Sequence, residues 1–202
     1  MTRIAAAKEA GEENAAPQAR RRLRGLYAPI PLAFLGLGVY RAWIEITFVG
    51  SFVNFPAFSL STRDLFDFSA VAEMVLFVLL ARRIGPLYTK RWPFALCAAA
   101  MLASTVLLFA SFFAPGLAGS LGVVTSVAGG VGLGLIILIW SELYGCLNPI
   151  RVTLYYAASL VVGALIIYLY MGLKMPWLFV MTALLPIVSL ASARGVCAAA
   201  RG

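Results

Sequence analysis

The sequence predicts an all-α, polytopic membrane protein with six transmembrane helices. Three observations carry this. The chain of 202 residues is 62% hydrophobic and only 12% charged, with a mean hydropathy of +0.95. A soluble domain is about half apolar and a quarter charged. The apolar residues gather into six runs, each near the ~20 residues that a helix needs to cross a bilayer. Finally, Lys and Arg are unevenly placed between those runs. Six in residues 1–24, four between the second and third runs, Arg151, Arg194 and Arg201 make thirteen on one side, against Arg63 and Lys174 on the other. Positive residues stay inside, so both termini are expected in the cytoplasm and the protein in the inner membrane.

Residues 1–25 are Ala-rich and basic without sustained apolar periodicity, and read as a flexible cytoplasmic tail. Arg20-Arg21-Arg22-Leu23-Arg24 before an apolar stretch imitates a secretory leader. That stretch carries Arg41 and Glu45, however, and runs on too far for one. The six-helix region is expected over 26–194. Its first span is 30–55, ended by Asn54-Phe55-Pro56; the second is 65–81, ended by Arg82-Arg83-Ile84-Gly85-Pro86. The third is 92–113, uncharged, before Ala114-Pro115-Gly116. The fourth is 121–143, before the turn at Asn148-Pro149. The fifth is 152–171, before Lys174-Met175-Pro176. The sixth is 177–193, and 195–202 is a short tail. Spans occupying most of the chain leave no room for a second folded domain.

Several functions are disfavoured. There is no His, which removes Ser-His and Cys-His nucleophile pairs and His metal sites. Cys97, Cys146 and Cys197 stand far apart, so no zinc or redox motif is indicated; Cys97 reads as lipid-embedded and structural. An enzyme, a cofactor and a metal are not expected. The net charge of +8 follows from the inside-positive pattern, so no direct nucleic-acid contact by this chain is implied.

Arg41 and Glu45 are the candidate ligand or proton residues, together with Glu73. The first two lie four apart within the first span, on one helix face and close enough to pair. Charge within lipid usually faces a bundle interior or a polar cavity. With spans ending near Phe55 and Leu65, Glu45 and Glu73 lie roughly 15 Å and 12 Å from the outer surface, at 1.5 Å per residue. One base cannot neutralise two acids, so one of the two glutamates is expected to hold a proton. Two other readings stay open: a static Arg41–Glu45 clamp with a neutral Glu73, and Arg41 snorkelling to the cytoplasmic surface.

In the fourth span Gly122, Ser126, Gly130 and Gly134 recur every four residues, with Gly129 and Gly132 beside them. Small residues let helices approach closely in lipid, so this stripe reads as helix packing. The run 130–134 is no phosphate loop, because no strand precedes it and no Lys-Ser/Thr follows. Ser159 and Gly163 make a shorter stripe in the fifth span. At the cytoplasmic face, Glu142, Tyr144, Asn148 and Arg151 form a candidate turn or gate. Trp140 and Tyr144 suit an aromatic belt, and Glu142 and Arg151 are spaced so that they could pair across the turn.

Six spans, inside termini and the basic loop Ala81-Arg82-Arg83-Ile84-Gly85-Pro86-Leu87-Tyr88-Thr89-Lys90-Arg91 resemble one half of a major facilitator transporter. The loop has the charge and a glycine of that family's motif but lacks its Asp, and the antiporter Arg of the fourth span is absent. The stretches Leu35-Gly36-Leu37-Gly38-Val39-Tyr40-Arg41-Ala42-Trp43 and Ser141-Glu142-Leu143-Tyr144-Gly145 are more similar to the membrane half of LuxR-type bacterial regulators. Those carry a facilitator-like helical region followed by a helix-turn-helix. The resemblance spans about 26–193. It implies half of a facilitator-like fold, acting as the small-ligand-sensing lobe of a transcriptional regulator whose DNA-binding part is not in this chain. It also implies a fragment, a split product or a stand-alone half. The alternatives are a half-transporter that assembles into a two-lobed carrier, proton-coupled or not, and a structural membrane subunit. The partners expected are the bilayer, a second six-helix lobe or another copy, and a small molecule.

Overall fold

Local chemistry sets where each helix starts and stops. The computed structural model describes residues 32–50 and 53–199; the expected tail 1–25, the start of the first span and the last three residues lie outside them. Helix α1 is Gly36–Ile44, entered through a 3-10 turn, Leu32–Leu35, and extended by a π turn, Glu45–Val49. The Gly50 N–H closes that π turn on the Glu45 carbonyl, and Gly50 then turns extended. The helix therefore ends at Val49 rather than near Phe55. Phe55 and Ala57 are buried all the same. They belong to a return segment, where the Phe55 ring packs on Phe109 at 5.1 Å and Phe112 at 5.3 Å.

Ser59 caps α2 (Leu60–Ile84): its side chain accepts from the Thr62 N–H while the Thr62 hydroxyl takes the Ser59 N–H. This reciprocal capping box starts the helix at Leu60, ahead of the expected Leu65. Gly85 stops it with φ 69°, a left-handed conformation that glycine adopts without a Cβ penalty. Pro93 sits in the first turn of α3 (Trp92–Ala110), where its missing N–H costs nothing. A 3-10 turn, Pro115–Leu117, leads into α4 (Ala118–Gly145). Asn148 caps α5 (Pro149–Tyr170) by accepting the Ile150 N–H at 3.1 Å. The last helix, α6 (Met175–Ala199), contains Pro186.

The described residues are helical with no strand. Five helical stretches are long and apolar enough to cross a membrane: Leu32–Val49, Trp92–Ala110, Pro115–Gly145, Pro149–Tyr170 and Met175–Cys197. The protein is thus an α-helical membrane protein. Helix α2 is not among the five. Its 25 residues reach about 37 Å at 1.5 Å each, but Arg63, Asp64, Asp67, Glu73, Arg82 and Arg83 dilute its apolar character.

Helix α4 lies at the centre, with α2 and α3 packed along it; α1 packs on α5 and α6, and α3 also meets α6. Specific contacts give the directions. Along α4, Gly122 meets Thr62 and Gly134 meets Ala70 and Glu73, so α2 runs parallel to it. Ser104 donates to the Thr125 carbonyl at 3.0 Å and Cys97 to the Gly132 carbonyl at 3.3 Å, so α3 runs antiparallel. Phe34 packs on Tyr155, and Gly38 meets Ser159 and Gly163, which sets α1 parallel to α5. Phe109 meets Phe179 at one end of α3 and Phe94 meets Arg194 at the other, so α6 opposes α3. Successive helices alternate in direction.

In lipid, tails are as apolar as Leu, so close packing and interhelical hydrogen bonds hold helices together. Both are present. The buried Trp43 indole donates to Thr105 Oγ1 at 2.8 Å, joining α1 to α3. The glycines of α4 bring α2 within backbone contact, and a Cβ at Gly130 would overlap Ser69 and the Phe66 carbonyl.

Gly130→Val is expected to lower stability by about 1–3 kcal/mol, the usual range for forced overpacking. Gly119→Val, where a Cβ meets nothing, is the control and should be near neutral. Thermal unfolding of both variants in detergent checks this; equal effects would refute the packing argument.

Candidate functional site

The two charged residues of α1 lie away from the lobe's interior. Arg41 is exposed and Glu45 half-buried, while Leu37, Gly38, Val39, Ala42, Trp43 and Ile46 fill the buried side. Among the described residues no ion pair joins Arg41 to Glu45, although they share a helix face. Four-residue spacing permits a pair, but the spacing alone does not bring the exposed Arg41 onto the half-buried Glu45. Glu45 also opens the π turn, a form that appears mostly as single turns, frequently at functional sites.

Glu45 and Glu73 do not share a level. Phe48 stacks on Phe66 with ring centres 4.0 Å apart, which sets the register of α1 against α2. From that stack Glu45 lies three residues inward, about 4–5 Å, and Glu73 seven residues inward, about 10 Å. The earlier depths assumed helix ends at Phe55 and Leu65; ends at Val49 and Leu60 remove the match. Arg41 is nearer the level of Glu73 but projects outward.

Glu73 has a different neighbour, the glycine stripe. It is 7% exposed, and among the described residues neither carboxylate oxygen has a hydrogen-bond partner. A Cβ at Gly134 would overlap this carboxylate, so the side chain occupies the notch that glycine leaves. One turn earlier Ser69 does the same at Gly130, donating to the Phe66 carbonyl at 2.9 Å and the Ser126 carbonyl at 3.3 Å. Gly122 makes a similar notch for the Ala57 carbonyl. Thus Gly122, Ser126, Gly130 and Gly134 all face α2 or the segment leading into it. The sequence signal for this pairing was the match between two four-residue spacings, Ser69/Glu73 and Gly130/Gly134.

Near the C-terminal end of α4, Glu142 accepts the Leu87 N–H at 2.8 and 3.1 Å and the Tyr88 N–H at 3.1 Å. Its hydrogen-bond partners are therefore on the α2–α3 connector, not across the α4–α5 turn at Arg151. The carboxylate faces the unpaired N–H groups that begin the 3-10 turn Leu87–Thr89, where a negative group is favoured. Arg151 is half-buried in the first turn of α5, and Asn148 serves as that helix's cap.

Trp140 and Tyr144 form no lipid-facing belt; they are 1% and 8% exposed. Tyr144 donates to the Phe34 carbonyl at 3.4 Å with its ring edge-on to Phe34. The Trp140 indole donates to Ser189 Oγ at 3.2 Å, and Ser189 donates to the Gly36 carbonyl at 2.7 Å. Buried Trp and Tyr need such partners for their polar ends. These bonds fasten the start of α1 to α4 and α6. Cys97 is likewise inside, with its thiol near Met101 and the Gly132 carbonyl.

No family model matches the chain, and no curated protein and no solved structure is significantly similar to it.

Glu142→Ala leaves two backbone N–H groups of the connector without their acceptor. A loss of about 1.5–3 kcal/mol is expected, the range for bonds to a charged group, with faster amide exchange at Leu87 and Tyr88. Hydrogen exchange measured on the variant reads both; unchanged exchange there would refute the clamp.

Proposed function

We propose that the chain is a six-helix lobe of the inner membrane that senses a small ligand for a bacterial transcriptional regulator of the LuxR type. The observation that carries this is the exposed Arg41 on a membrane-crossing helix, with half-buried Glu45 one turn away. A guanidinium left facing hydrocarbon is costly, so this face meets something polar. Arg41 holds an anionic group of the ligand, and Glu45 supplies a hydrogen bond or takes a proton. Glu73, buried beside Gly134, couples occupancy to the packing of α2 against α4. The two stretches that resemble LuxR-type membrane regions lie close together: Gly36 of the first meets Trp140, just ahead of the second, and Tyr144 of the second bonds the carbonyl of Phe34, just ahead of the first.

Helix α2 is the sixth span in this reading. It runs parallel to α4 from Thr62 at Gly122 to Glu73 at Gly134, and its connector reaches Glu142. Ser69 and Glu73 are then turned toward the glycine stripe, Arg63, Asp64, Asp67, Arg82 and Arg83 lie exposed nearer the two ends of the helix, and both termini lie in the cytoplasm.

A half-transporter is the second reading. It is favoured by the same exposed charged face, which a second lobe or another copy would cover, forming a central site near mid-membrane.

Three measurements separate the readings. The sensor expects a helix-turn-helix encoded in frame or in an adjoining gene, and a transcriptional response lost in Arg41→Ala and retained in Arg63→Ala. The half-transporter expects a dimer and solute exchange in proteoliposomes that fails in Arg41→Ala or Glu45→Gln. A structural subunit is left if both substitutions alter stability alone.

The sixth span has its own test. In a Cys146→Ser background, Ser61→Cys should react with an impermeant thiol reagent from outside intact cells. Thr89→Cys should react only after the cytoplasmic side is opened. Labelling of both positions from one side would refute α2 as a span.

A further inference from the structure

The connector before α3 ends in Lys90-Arg91, and α6 carries Arg194 near its inner end. Because α3 and α6 pack together, these cations gather at one place. The Arg194 guanidinium lies 5.1 Å from the centre of the Phe94 ring, a cation–π contact that fixes its position. Two cavities meet there, sharing Phe94 and Arg194. The first, about 350 Å³, is lined by Tyr88, Thr89, Lys90, Arg91, Phe94 and Arg194: three cations and two hydroxyls with no acid. The second, about 330 Å³, runs between Ala95 and Ala98 of α3 and Ile187, Leu190 and Ala191 of α6. Apart from Arg194, its walls are apolar.

The cations are not neutralised within the pocket. Glu142, which touches the same connector, bonds the Leu87 and Tyr88 N–H groups. Lys90 Nζ donates to the Ile84 carbonyl, and an ammonium keeps two further N–H donors beyond one bond. Neither Arg91 nor Arg194 is buried. Three like charges line one cavity with no acid among them and stay accessible to a ligand, so the pocket suits one that brings negative charge. An apolar groove joined to it, at the level where a helix leaves the membrane, suits a ligand that also brings a hydrocarbon chain.

We propose that this is a binding site for an anionic phospholipid of the cytoplasmic leaflet. The phosphate sits among Lys90, Arg91 and Arg194, and one acyl chain lies along the α3–α6 groove. Basic pockets between helices on the cytoplasmic side recognise such headgroups. A free phosphate would use only the first cavity and a neutral lipid mainly the second; an anionic diacyl lipid uses both. The site shares no residue with the face of Arg41 and Glu45. It depends on the orientation given above and not on what the lobe senses.

The test is thermal unfolding of the full chain in neutral detergent, titrated separately with phosphatidylglycerol, phosphatidylcholine and inorganic phosphate. Phosphatidylglycerol should stabilise at concentrations at least tenfold lower than phosphatidylcholine, and phosphate should have no effect over that range. Arg91→Gln/Arg194→Gln should abolish the preference, and Arg91→Gln alone, an exposed substitution, should weaken it. Arg82→Gln/Arg83→Gln removes the same charge from the neighbouring end of α2, outside the pocket, and should leave the preference intact. Ala191→Phe, which fills the groove, should weaken phosphatidylglycerol binding. Unfolding in phosphatidylcholine micelles checks that each variant folds. Overturning results are an absent preference in the unmodified chain, equal losses in the two double variants, or phosphate acting as strongly as the lipid.

Discussion

The close approach of α2 to the glycine stripe of α4 is the constraint on which the rest of this lobe depends. Helix α2 carries the most charge of the six and fails the apolar test that the others pass. Alone in hydrocarbon it would be poorly placed. The notches at Gly130 and Gly134 give Ser69 and Glu73 somewhere to go that is not lipid, and Ser69 finds the Ser126 carbonyl there. Closeness follows: without Cβ atoms on that face, backbones approach and many weak contacts add up. Helix α4 then has its other side free for α3, where Gly132 meets Met101 and the Cys97 thiol. The same helix ends at Glu142, whose carboxylate holds the connector by which the chain passes from α2 to α3. One helix thereby organises two neighbours and the loop joining them.

Helix α1 is attached by other means. It enters beside α4 and α6 through the chain of bonds from Trp140 to Ser189 to the Gly36 carbonyl, and leaves beside α3 through Trp43 and Thr105. Between these points Gly38 lies against the α5 backbone at Ser159 and Gly163. Interhelical hydrogen bonds in membranes are worth only about 0.6 kcal/mol on average, so their value here is less in strength than in fixing rotation. With Trp43 and Gly38 committed inward, Arg41 has no direction left but outward.

Hydropathy made four helices legible because α3 to α6 are nearly uncharged between their turns, and Pro93, Asn148 and Pro149 mark their starts without tertiary help. It carried the first span to Phe55 instead of Val49 and began the second at Leu65 instead of Leu60, for an identifiable reason. Phe55 and Ala57 are apolar because they are buried against α3 and α4, and composition does not distinguish burial in protein from burial in lipid. The break at Gly50 and the Ser59–Thr62 capping box were local signals of the true ends. The shift in both ends is what separated Glu45 from Glu73. The Glu142 partnership was invisible for another cause: Leu87 and Tyr88 offer backbone N–H groups, which every residue carries and no sequence pattern announces. Trp140 and Tyr144 looked interfacial by position along the helix, but which side of a helix faces lipid is decided by its neighbours. The glycine stripe was readable as a packing surface; its partner on α2 was readable only by comparing two spacings.

An arginine and a half-buried carboxylate on the outside of a membrane helix pose a physical question that the lobe alone does not answer. Lipid tails offer them no hydrogen bonds, and with no ion pair between them they do not answer each other. Arg41 lies nine residues beyond Leu32, the first described helical residue, about 14 Å along the helix at 1.5 Å per residue. In the proposed reading a polar ligand or an opposing protein face meets them at this position. Much of the outer surface of α2 and α5 is different in kind: Val71, Val75, Val161, Leu165 and Leu169 stand exposed as apolar side chains, which lipid covers without cost. The contrast between the charged face of α1 and these apolar faces follows from α1 being turned by its packing on α5 and α6.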